Sequence, residues 1–238
     1  MDNTFAQQFE HWSDSSRLLY GLENSYIVEH TLSDQTIRLH KDVIAQLEKL
    51  MSDLSKVGLT IRILSHWRSF EYQLGIWLKK WNGQATILDR NSKPLNPADL
   101  SIDDKISSLF FWSALPGLSR HHWGTDFDIF LAEPINNNYC VELIPQEFKT
   151  GGICEHLNNW LDSNLAQYQF YRPYDRDRGG VSPEPWHISF KPIAQTLQKK
   201  ISAAEAADVI MGSEIPEKRK LLKLIPDYIK QYVNNVAG

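Results

Sequence analysis

The sequence predicts an α+β fold, in which helices flank a small antiparallel sheet and a helical C-terminal extension follows. Helical periodicity occurs early and late in the chain, whereas the middle holds short apolar segments that are typical of strands. Strands do not alternate regularly with helices, which argues against a parallel sheet built from βαβ units. The chain has 238 residues, which is long enough to bury one large core.

The first half of the chain begins with segments of contrasting periodicity. Residues 1–30 show no clear pattern. Residues 34–57 are the clearest predicted helix, and Gly58 follows as a stop signal. Its apolar residues recur at steps of three and four: Leu39, Val43, Leu47, Leu50 and Leu54. Residues 59–65 alternate apolar and polar side chains, which predicts a half-buried strand.

Capping residues and turn formers define the next elements. Ser69 is the predicted N-cap of a helix that runs to about Trp81. Residues 84–100 are rich in turn-forming residues and predict a long surface loop. Ser101 begins another helix, which ends before Pro116.

The second half is predicted to hold three short strands and further helices. The strands are 127–131, 169–171 and 186–190, and the helices are 154–167 and most of the chain after residue 192. We divide the chain into a main domain, residues 1–202, and a helical C-terminal extension, residues 203–238.

Charge and composition exclude several classes of function. The chain has 25 Lys and Arg against 29 Asp and Glu, a formal net charge of −4 at pH 7. It therefore has no excess positive charge to attract nucleic acid or anionic lipid, and we expect no nucleic-acid partner. No run approaches the ~20 apolar residues of a membrane span, so no span is expected.

The polar, acidic N-terminus lacks the basic start and apolar stretch of a secretory signal. We therefore expect a cytoplasmic location, with leader removal or non-standard export to the periplasm or the exterior as the alternative. Two cysteines, Cys140 and Cys154, are compatible with a reducing compartment and are predicted to be buried thiols.

A cluster of histidines and carboxylates lies within residues 118–130, LSRHHWGTDFDIF. These side chains are of the types that bind zinc. His121 and Asp128 are separated by roughly 23 Å on an extended strand or roughly 10 Å on a helix, so neither element lets both contact one ion. The chain must therefore fold back between them, and Gly124 can do so without the steric cost of a Cβ atom.

A second segment, residues 182–190, contains Glu184 and His187 in the order E-x-x-H. Pro183 and Pro185 argue against a helix here, so this segment differs from the helical H-E-x-x-H of the familiar metalloproteases. His187 is expected to enter a strand, with Glu184 on the preceding loop and close to the metal. Each segment alone is a weak signal, because the chain has 8 His and 29 acidic residues; their joint occurrence indicates a site.

Together the segments resemble the zinc D,D-carboxypeptidase family of bacterial cell-wall peptidases, which is structurally similar to the hedgehog zinc domain and lysostaphin. Residues 119–128 match the family's S-x-H-x-x-G-x-x-x-D, and residues 184–187 match E-x-W-H. Residues 67–73, WRSFEYQ, resemble Y-R-S-x-x-x-Q, and residues 169–174 resemble the strand before the second motif. The resemblance runs from about residue 60 to residue 191.

The chain departs from the family pattern at two positions. Asp126 stands where the family usually has Ala or another small residue, so this carboxylate is expected to alter the local charge or to support a metal ligand from behind. Trp67 replaces the more common Tyr before Arg68. Neither departure removes a predicted ligand or Glu184.

The resemblance implies one zinc ion per chain, carried by the sheet and bound by His121, Asp128 and His187, with water in the fourth position. Glu184 is then the general base that takes the proton of this water. Arg68 stabilises the developing oxyanion together with zinc. The residues implied to contact the substrate or to pack beside it are Ser119, Gln73 and Trp186. An alternative register of the loop makes His122, rather than His121, the ligand.

The implied activity is hydrolysis of peptidoglycan stem peptides or muropeptides, with release of C-terminal D-Ala as the first expectation. An L,D-carboxypeptidase, a D-Ala-D-Ala dipeptidase and an endopeptidase of the phage-lysin type are alternatives within the same chemistry. Two further alternatives are a zinc-dependent binding domain without turnover and a metal-free domain with a polar network. The presence of both Glu184 and Arg68 favours the enzyme.

Overall fold

The computed structural model describes residues 4–238, so residues 1–3 of the predicted main domain lie outside the described part. The strands of this part are β1 Ile27–Leu32, β2 Gln35–His40, β3 Ile61–Ser65, β4 Ile87–Leu88, β5 Pro94–Leu95, β6 Asp126–Leu131, β7 Phe170–Tyr171 and β8 His187–Phe190. The α-helices are α1 Thr4–Gln7, α2 Asp14–Leu19, α3 Ile44–Lys56, α4 Phe70–Trp81, α5 Ile102–Trp112, α6 Ala132–Asn136, α7 Glu155–Asn164, α8 Lys191–Gln198, α9 Ala203–Gly212 and α10 Lys218–Tyr228. Among the described helices, none combines the length and apolar composition that spanning a bilayer requires.

A four-stranded antiparallel sheet forms the centre of the fold, in the order β3-β6-β8-β7. Strand β6 is central and almost wholly buried, and its register places Asp128 opposite His187 on β8 and opposite Ser65 on β3. Two separate hairpins, β1-β2 and β4-β5, flank this sheet. The predicted α+β class with a small antiparallel sheet is therefore confirmed.

The hydrophobic core has two parts. One part lies where α3 and α7 cover the central sheet, and it contains Leu47, Leu157 and Ile129. The other is built by helices from both ends of the chain, with Val209 and Tyr228 of the C-terminal extension among its buried residues. The hydroxyl of Tyr228 accepts a hydrogen bond from the backbone N–H of Leu115 at 2.8 Å. Residues 203–238 thus pack on the N-terminal helices and α5, while the division at residue 202 stays a prediction.

Helix caps predicted from the sequence are confirmed. Ser69 precedes α4, and its Oγ accepts a hydrogen bond from the N–H of Tyr72 at 3.2 Å. Ser101 caps α5 in the same way through the N–H of Asp104 at 3.1 Å. Such a bond satisfies one of the free N–H groups in the first turn of a helix. The predicted loop 84–100 contains only the short β4-β5 hairpin and one 3₁₀ turn.

The predicted helix over 34–57 is wrong in its first third. Residues 35–40 form β2, which pairs with β1 through a turn at Ser33, and the helix α3 begins only at Ile44. Ile37 and Leu39 are buried on either side of the half-buried Arg38, which is the alternation of a strand. Leu39 fits both the three-to-four-residue period of a helix and the two-residue period of a strand. The partner strand β1 lies in a region where no element was predicted.

The prediction of buried thiols is correct for Cys154 and wrong for Cys140. Cys154 is buried directly before α7, at its N-cap position, whereas Cys140 is exposed in the connection after α6, and neither forms a disulfide. Burial raises the pKa of the Cys154 thiol to about 11. Both cysteines lie outside the site described below.

The chain reverses direction at Gly124, directly before the central strand β6. Gly124 has a positive φ of 68°, and its carbonyl accepts a hydrogen bond from the N–H of His40 at 2.9 Å. A Cβ atom here would lie 2.5 Å from Cδ1 of Ile27 and 2.7 Å from the backbone nitrogen of His40. The β1-β2 hairpin therefore packs so closely on this turn that only glycine fits.

We expect Gly124→Ala to lower the free energy of unfolding by about 2–4 kcal/mol, because backbone strain adds to overlap with the hairpin. Gly58→Ala is the matched control: Gly58 also has a positive φ, 79°, but nothing lies within 4 Å of a Cβ atom there. The control should cost only about 1 kcal/mol of strain. Urea denaturation of both variants measures the difference, and equal losses would show that close packing at Gly124 contributes nothing.

Candidate metal centre and active site

Three segments of the chain bring His121, Asp128 and His187 together. His121 lies on the 3₁₀ turn Arg120–Trp123, Asp128 on β6 and His187 at the start of β8. One ligand atom from each residue lies within 4.8 Å of the other two, and all three residues are buried. Nε2 of His121 is 3.4 Å from Oδ2 of Asp128, and Nδ1 of His187 is 3.1 Å from Oδ1 of Asp128.

The outer nitrogen of each histidine is bound to an acceptor. Nδ1 of His121 donates to the carbonyl of His66 at 3.1 Å, and Nε2 of His187 donates to Oδ1 of Asp126 at 2.9 Å. In the neutral imidazoles, these bonds leave the lone pairs of the inner nitrogens facing Asp128. Oδ1 of Asp128 is buried and, among the described residues, has no hydrogen-bond donor. Two nitrogen lone pairs and a carboxylate converge on one small space, which fits a divalent cation.

The electrostatics of the cluster also call for a positive charge at its centre. Burial lowers the pKa of His121 to about 4. Burial acts in the same direction on His187, but its close contacts with the carboxylates of Asp126, Asp128 and Glu184 outweigh burial and raise the pKa of this imidazole well above its usual value. The contacts that favour a proton on His187 favour a metal cation in the same place.

Glu184 lies beside the cluster on the loop before β8, as the two prolines predict. Its backbone is fixed by hydrogen bonds that join its N–H to the carbonyl of Tyr174 and its carbonyl to the N–H of His187, both at 3.0 Å. Oε2 of Glu184 is 3.4 Å from Nδ1 of His187. Burial raises the pKa of Glu184 above its usual value. A carboxylate with a raised pKa next to a metal is suited to proton transfer near neutral pH.

Arg68 lies on the other side of Asp128, with its guanidinium held by three side chains. Its Nε and Nη2 donate to Oγ of Ser65 at 2.9 and 2.6 Å, and Nη2 is 3.3 Å from Oδ2 of Asp128. Nη1 donates to Oε1 of Gln73 at 3.1 Å, and Nε2 of Gln73 donates to the carbonyl of Ala114 at 2.9 Å. Arg68 is therefore positioned before any substrate binds.

The remaining predicted residues also lie around the site. Ser119, Gln73 and Trp186 line a cavity of about 570 Å³ that includes the histidine and carboxylate cluster, Glu184 and Arg68. Trp186 packs against Phe148 in the core, with ring centroids 6.0 Å apart. A cavity of this size, with converging polar groups, is typical of small-ligand sites.

His122 does not face the cluster. Its Nδ1 donates to the carbonyl of Arg68 at 2.8 Å, and its Nε2 accepts from the N–H of Gly117 at 3.1 Å. Burial lowers the pKa of His122 to about 3. Both ring nitrogens are thus used to fix the backbone around the site, and the structure brings His121 to Asp128 instead.

A buried ion pair behind His187 was not predicted from the sequence. Oδ1 of Asp126 accepts from Nε of Arg120 at 2.8 Å as well as from His187, and Oδ2 accepts from Thr125 and Ser189. Arg120 is buried and donates further hydrogen bonds to three side chains around it: Tyr171, Ser189 and Gln198. The sequence signal was the acidic residue at a position usually occupied by a small one. Its partner was not recognised, because pairing between a turn and a strand leaves no periodicity.

We expect Asp126→Asn to weaken zinc binding about 10- to 100-fold, because a carboxylate behind a metal-binding histidine orients the ring and raises its basicity. Competition with a chromophoric chelator measures the affinity, and circular dichroism checks that the variant folds. Asp175→Asn, which removes an exposed pairing with Arg178, is the control and should leave the affinity unchanged. A folded Asp126→Asn variant with wild-type affinity would show that the carboxylate does not support His187.

Comparison with known proteins assigns the chain to a family. Residues 36–193 match the family VanY: D-alanyl-D-alanine carboxypeptidase. An uncharacterized protein of Haemophilus influenzae is 28% identical over 130 residues, which are 54% of this chain and 99% of that protein.

Solved structures share the fold at lower identity. A mutant of the vancomycin-resistance D,D-pentapeptidase VanY in complex with Zn(II) is 23% identical, with a TM-score of 0.50, over 73% of this chain and 85% of that one. VanYB in complex with D-alanine-D-alanine is 21% identical, with a TM-score of 0.51, over 76% and 88%. The LdcB LD-carboxypeptidase is 19% identical, with a TM-score of 0.50, over 74% of each chain. The resemblance inferred from the sequence motifs is confirmed, and with it the enzyme class: this chain belongs to the VanY D-alanyl-D-alanine carboxypeptidase family.

Proposed function

We propose that this chain is a zinc D,D-carboxypeptidase that releases C-terminal D-Ala from peptidoglycan stem peptides. The observation that carries the proposal is the convergence of His121, Asp128 and His187 beside Glu184 in one cavity. Further support comes from similar structures that contain Zn(II) or D-alanine-D-alanine.

The three converging residues would hold one zinc ion and leave its remaining position open to the cavity. When bound, zinc supplies Lewis-acid activation of water and of the scissile carbonyl. Oε2 of Glu184 accepts the proton of the attacking water and returns it to the leaving amine. The guanidinium of Arg68 donates hydrogen bonds to the developing oxyanion. Its contacts with Ser65 and Gln73 already hold it in place, so it need not reorient during the reaction.

Side chains of the cavity wall would orient the peptide for this attack. Ser119 and Gln73 offer hydrogen-bonding groups beside the cluster, and Trp186 supplies an apolar surface. Fixing the scissile bond relative to Glu184 and Arg68 contributes to the rate because the reacting groups then need no further ordering.

The test is D-Ala release from a synthetic stem pentapeptide and from the corresponding tetrapeptide, before and after chelation and zinc re-addition. The proposal predicts release from the pentapeptide that chelation abolishes and zinc restores. Release from the tetrapeptide alone would replace it with an L,D-carboxypeptidase activity. Absence of release from both peptides by zinc-loaded protein would contradict carboxypeptidase activity.

Glu184→Gln should retain zinc but lose about 100- to 10,000-fold in kcat, because the variant cannot accept a proton. Metal analysis and single-turnover assays of the same preparation measure the two effects. Glu71→Gln, an exposed change on α4, is the control. Full turnover by Glu184→Gln would exclude Glu184 as the general base.

A further inference from the structure

The loop that carries Glu184 is long and has no regular structure of its own. Residues 172–186 connect β7 to β8 without a helix or a strand. Three residues of this loop, Tyr174, Val181 and Glu184, line the cavity. Ordering so long a connection costs conformational entropy, which contacts with the rest of the fold must offset. The contacts that hold this loop therefore decide where Glu184 lies.

Hydrogen bonds close to Glu184 fix one end of the loop. The N–H of Ser182 donates to the carbonyl of Phe111 on α5 at 3.0 Å. The N–H of Glu184 donates to the carbonyl of Tyr174, at the same distance, within the loop itself. This second bond positions Glu184 only if the backbone around Tyr174 is held in its turn.

The C-terminal segment holds the outer turn of the loop. After α10 the chain continues as a π-helical turn, Ile229–Val233. Nε2 of Gln231 donates to the carbonyl of Gly179 at 2.5 Å, and Nδ2 of Asn235 donates to the carbonyl of Arg178 at 2.6 Å. Two side-chain amides of the C-terminal segment thus bind two consecutive carbonyls of the loop.

Backbone contacts extend this anchor to both sides of the turn. The N–H of Ala237 donates to the carbonyl of Pro173, the residue before Tyr174, at 2.9 Å. Gly180 packs directly on the backbone of Gln231, and a Cβ atom at Gly180 would overlap the Gln231 carbonyl oxygen. The C-terminal segment therefore holds the loop from Pro173 to Gly180, which includes the residue whose carbonyl binds Glu184.

We propose that Gln231 and Asn235 are positioning residues that hold Glu184 in place for proton transfer by anchoring the loop before β8. The inference rests on the proposed peptidase function, in which Glu184 is the general base. Neither amide touches the reacting atoms, and both act through the loop backbone. A displacement of about 1 Å in a reacting group can lower a rate about 100-fold, so an anchor outside the cavity can control kcat.

Asn235→Asp isolates the anchor from packing. The variant keeps the size of the side chain but replaces the donor to the Arg178 carbonyl with an acceptor, so that attraction becomes repulsion. Asn234→Asp is the matched control, because it adds the same charge one residue away at an exposed position. Gln231→Glu makes the corresponding change at the Gly179 carbonyl and should act in the same direction as Asn235→Asp.

Release of D-Ala from the stem pentapeptide by zinc-loaded protein measures the effect on the reaction. We expect Asn235→Asp to lower kcat about 10-fold. The value of KM should change by less than about threefold, because most of the cavity wall lies outside the loop. Asn234→Asp should leave both values unchanged. In the Glu184→Gln background, Asn235→Asp should cause no further loss, since two changes that act through one carboxylate are not additive.

Hydrogen exchange of the same variants, followed by mass spectrometry of peptides that cover residues 173–186, gives a readout that does not depend on turnover. Exchange in this loop should become about 3- to 10-fold faster in Asn235→Asp, because an anchoring hydrogen bond is lost. It should be unchanged in Asn234→Asp.

Unchanged exchange, or faster exchange with an unchanged kcat, would overturn the proposal. An equal loss of rate from Asn235→Asp in the wild-type and Glu184→Gln backgrounds would also overturn it, because Asn235 would then not act through Glu184. If the wild type releases no D-Ala while exchange in the loop still depends on Asn235, the proposed function is wrong and the anchoring of the loop stands.

Discussion

The antiparallel pairing of β6 with β8, which sets Asp128 directly opposite His187, is the constraint on which the site depends. Side chains alternate between the two faces of a sheet, so a shift of one residue would turn Asp128 away from the histidine. Burial of both neighbouring strand positions fixes the register, because Phe127 and Ile129 must remain in the core. The turn at Gly124 then returns His121 to the same end of β6. The strand register that buries the apolar side chains of β6 is therefore the same register that brings the site residues together.

Buried charge is the second constraint, and it accounts for the residues behind the site. Asp126 and Arg120 form an ion pair with almost no exposed surface. Such a pair contributes little net stability, since the desolvation of both ions offsets their attraction. The ion pair is better explained by its position behind the site. The carboxylate of Asp126 also accepts a hydrogen bond from Nε2 of His187 and so leaves Nδ1 facing Asp128. The hydrogen bond at Nε2 fixes the direction in which the His187 ring offers the lone pair of Nδ1.

The sequence predicted the parts of the site that come from short, continuous segments. Two short segments contain residue types that bind metals at recognisable spacings. One contains His121 and Asp128, and the other contains Glu184 and His187. The alternation in residues 59–65 also predicted β3 correctly. By contrast, the helix predicted over residues 35–40 is wrong, because Leu39 fits both the helical repeat and the two-residue repeat of a strand. The pairing with β1 decides between them, and the sequence of β1 shows no clear periodicity.

Contacts between residues that are distant in the chain could not be predicted from the sequence, because they depend on how separate elements pack. Arg120 pairs with Asp126 only because a 3₁₀ turn and a strand meet in three dimensions. Lys80 has an exposed neighbour of the same type, Lys79, and only the rotation of α4 distinguishes the cavity-lining residue from the solvated one. The packing of residues 203–238 against α5 likewise depends on contacts such as that between Tyr228 and Phe110, whose ring centroids are 4.5 Å apart. None of these contacts leaves a periodic signal.

X-ray absorption at the zinc edge, on protein reconstituted with zinc and dialysed, tests the central claim most directly. The account predicts one zinc ion per chain in a shell of nitrogen and oxygen ligands at about 2.0–2.2 Å, including two imidazoles. The shell should be lost in His121→Ala and retained in His122→Ala. Absence of stoichiometric zinc, a sulfur ligand at about 2.3 Å, or loss of zinc in the His122 variant alone would contradict it.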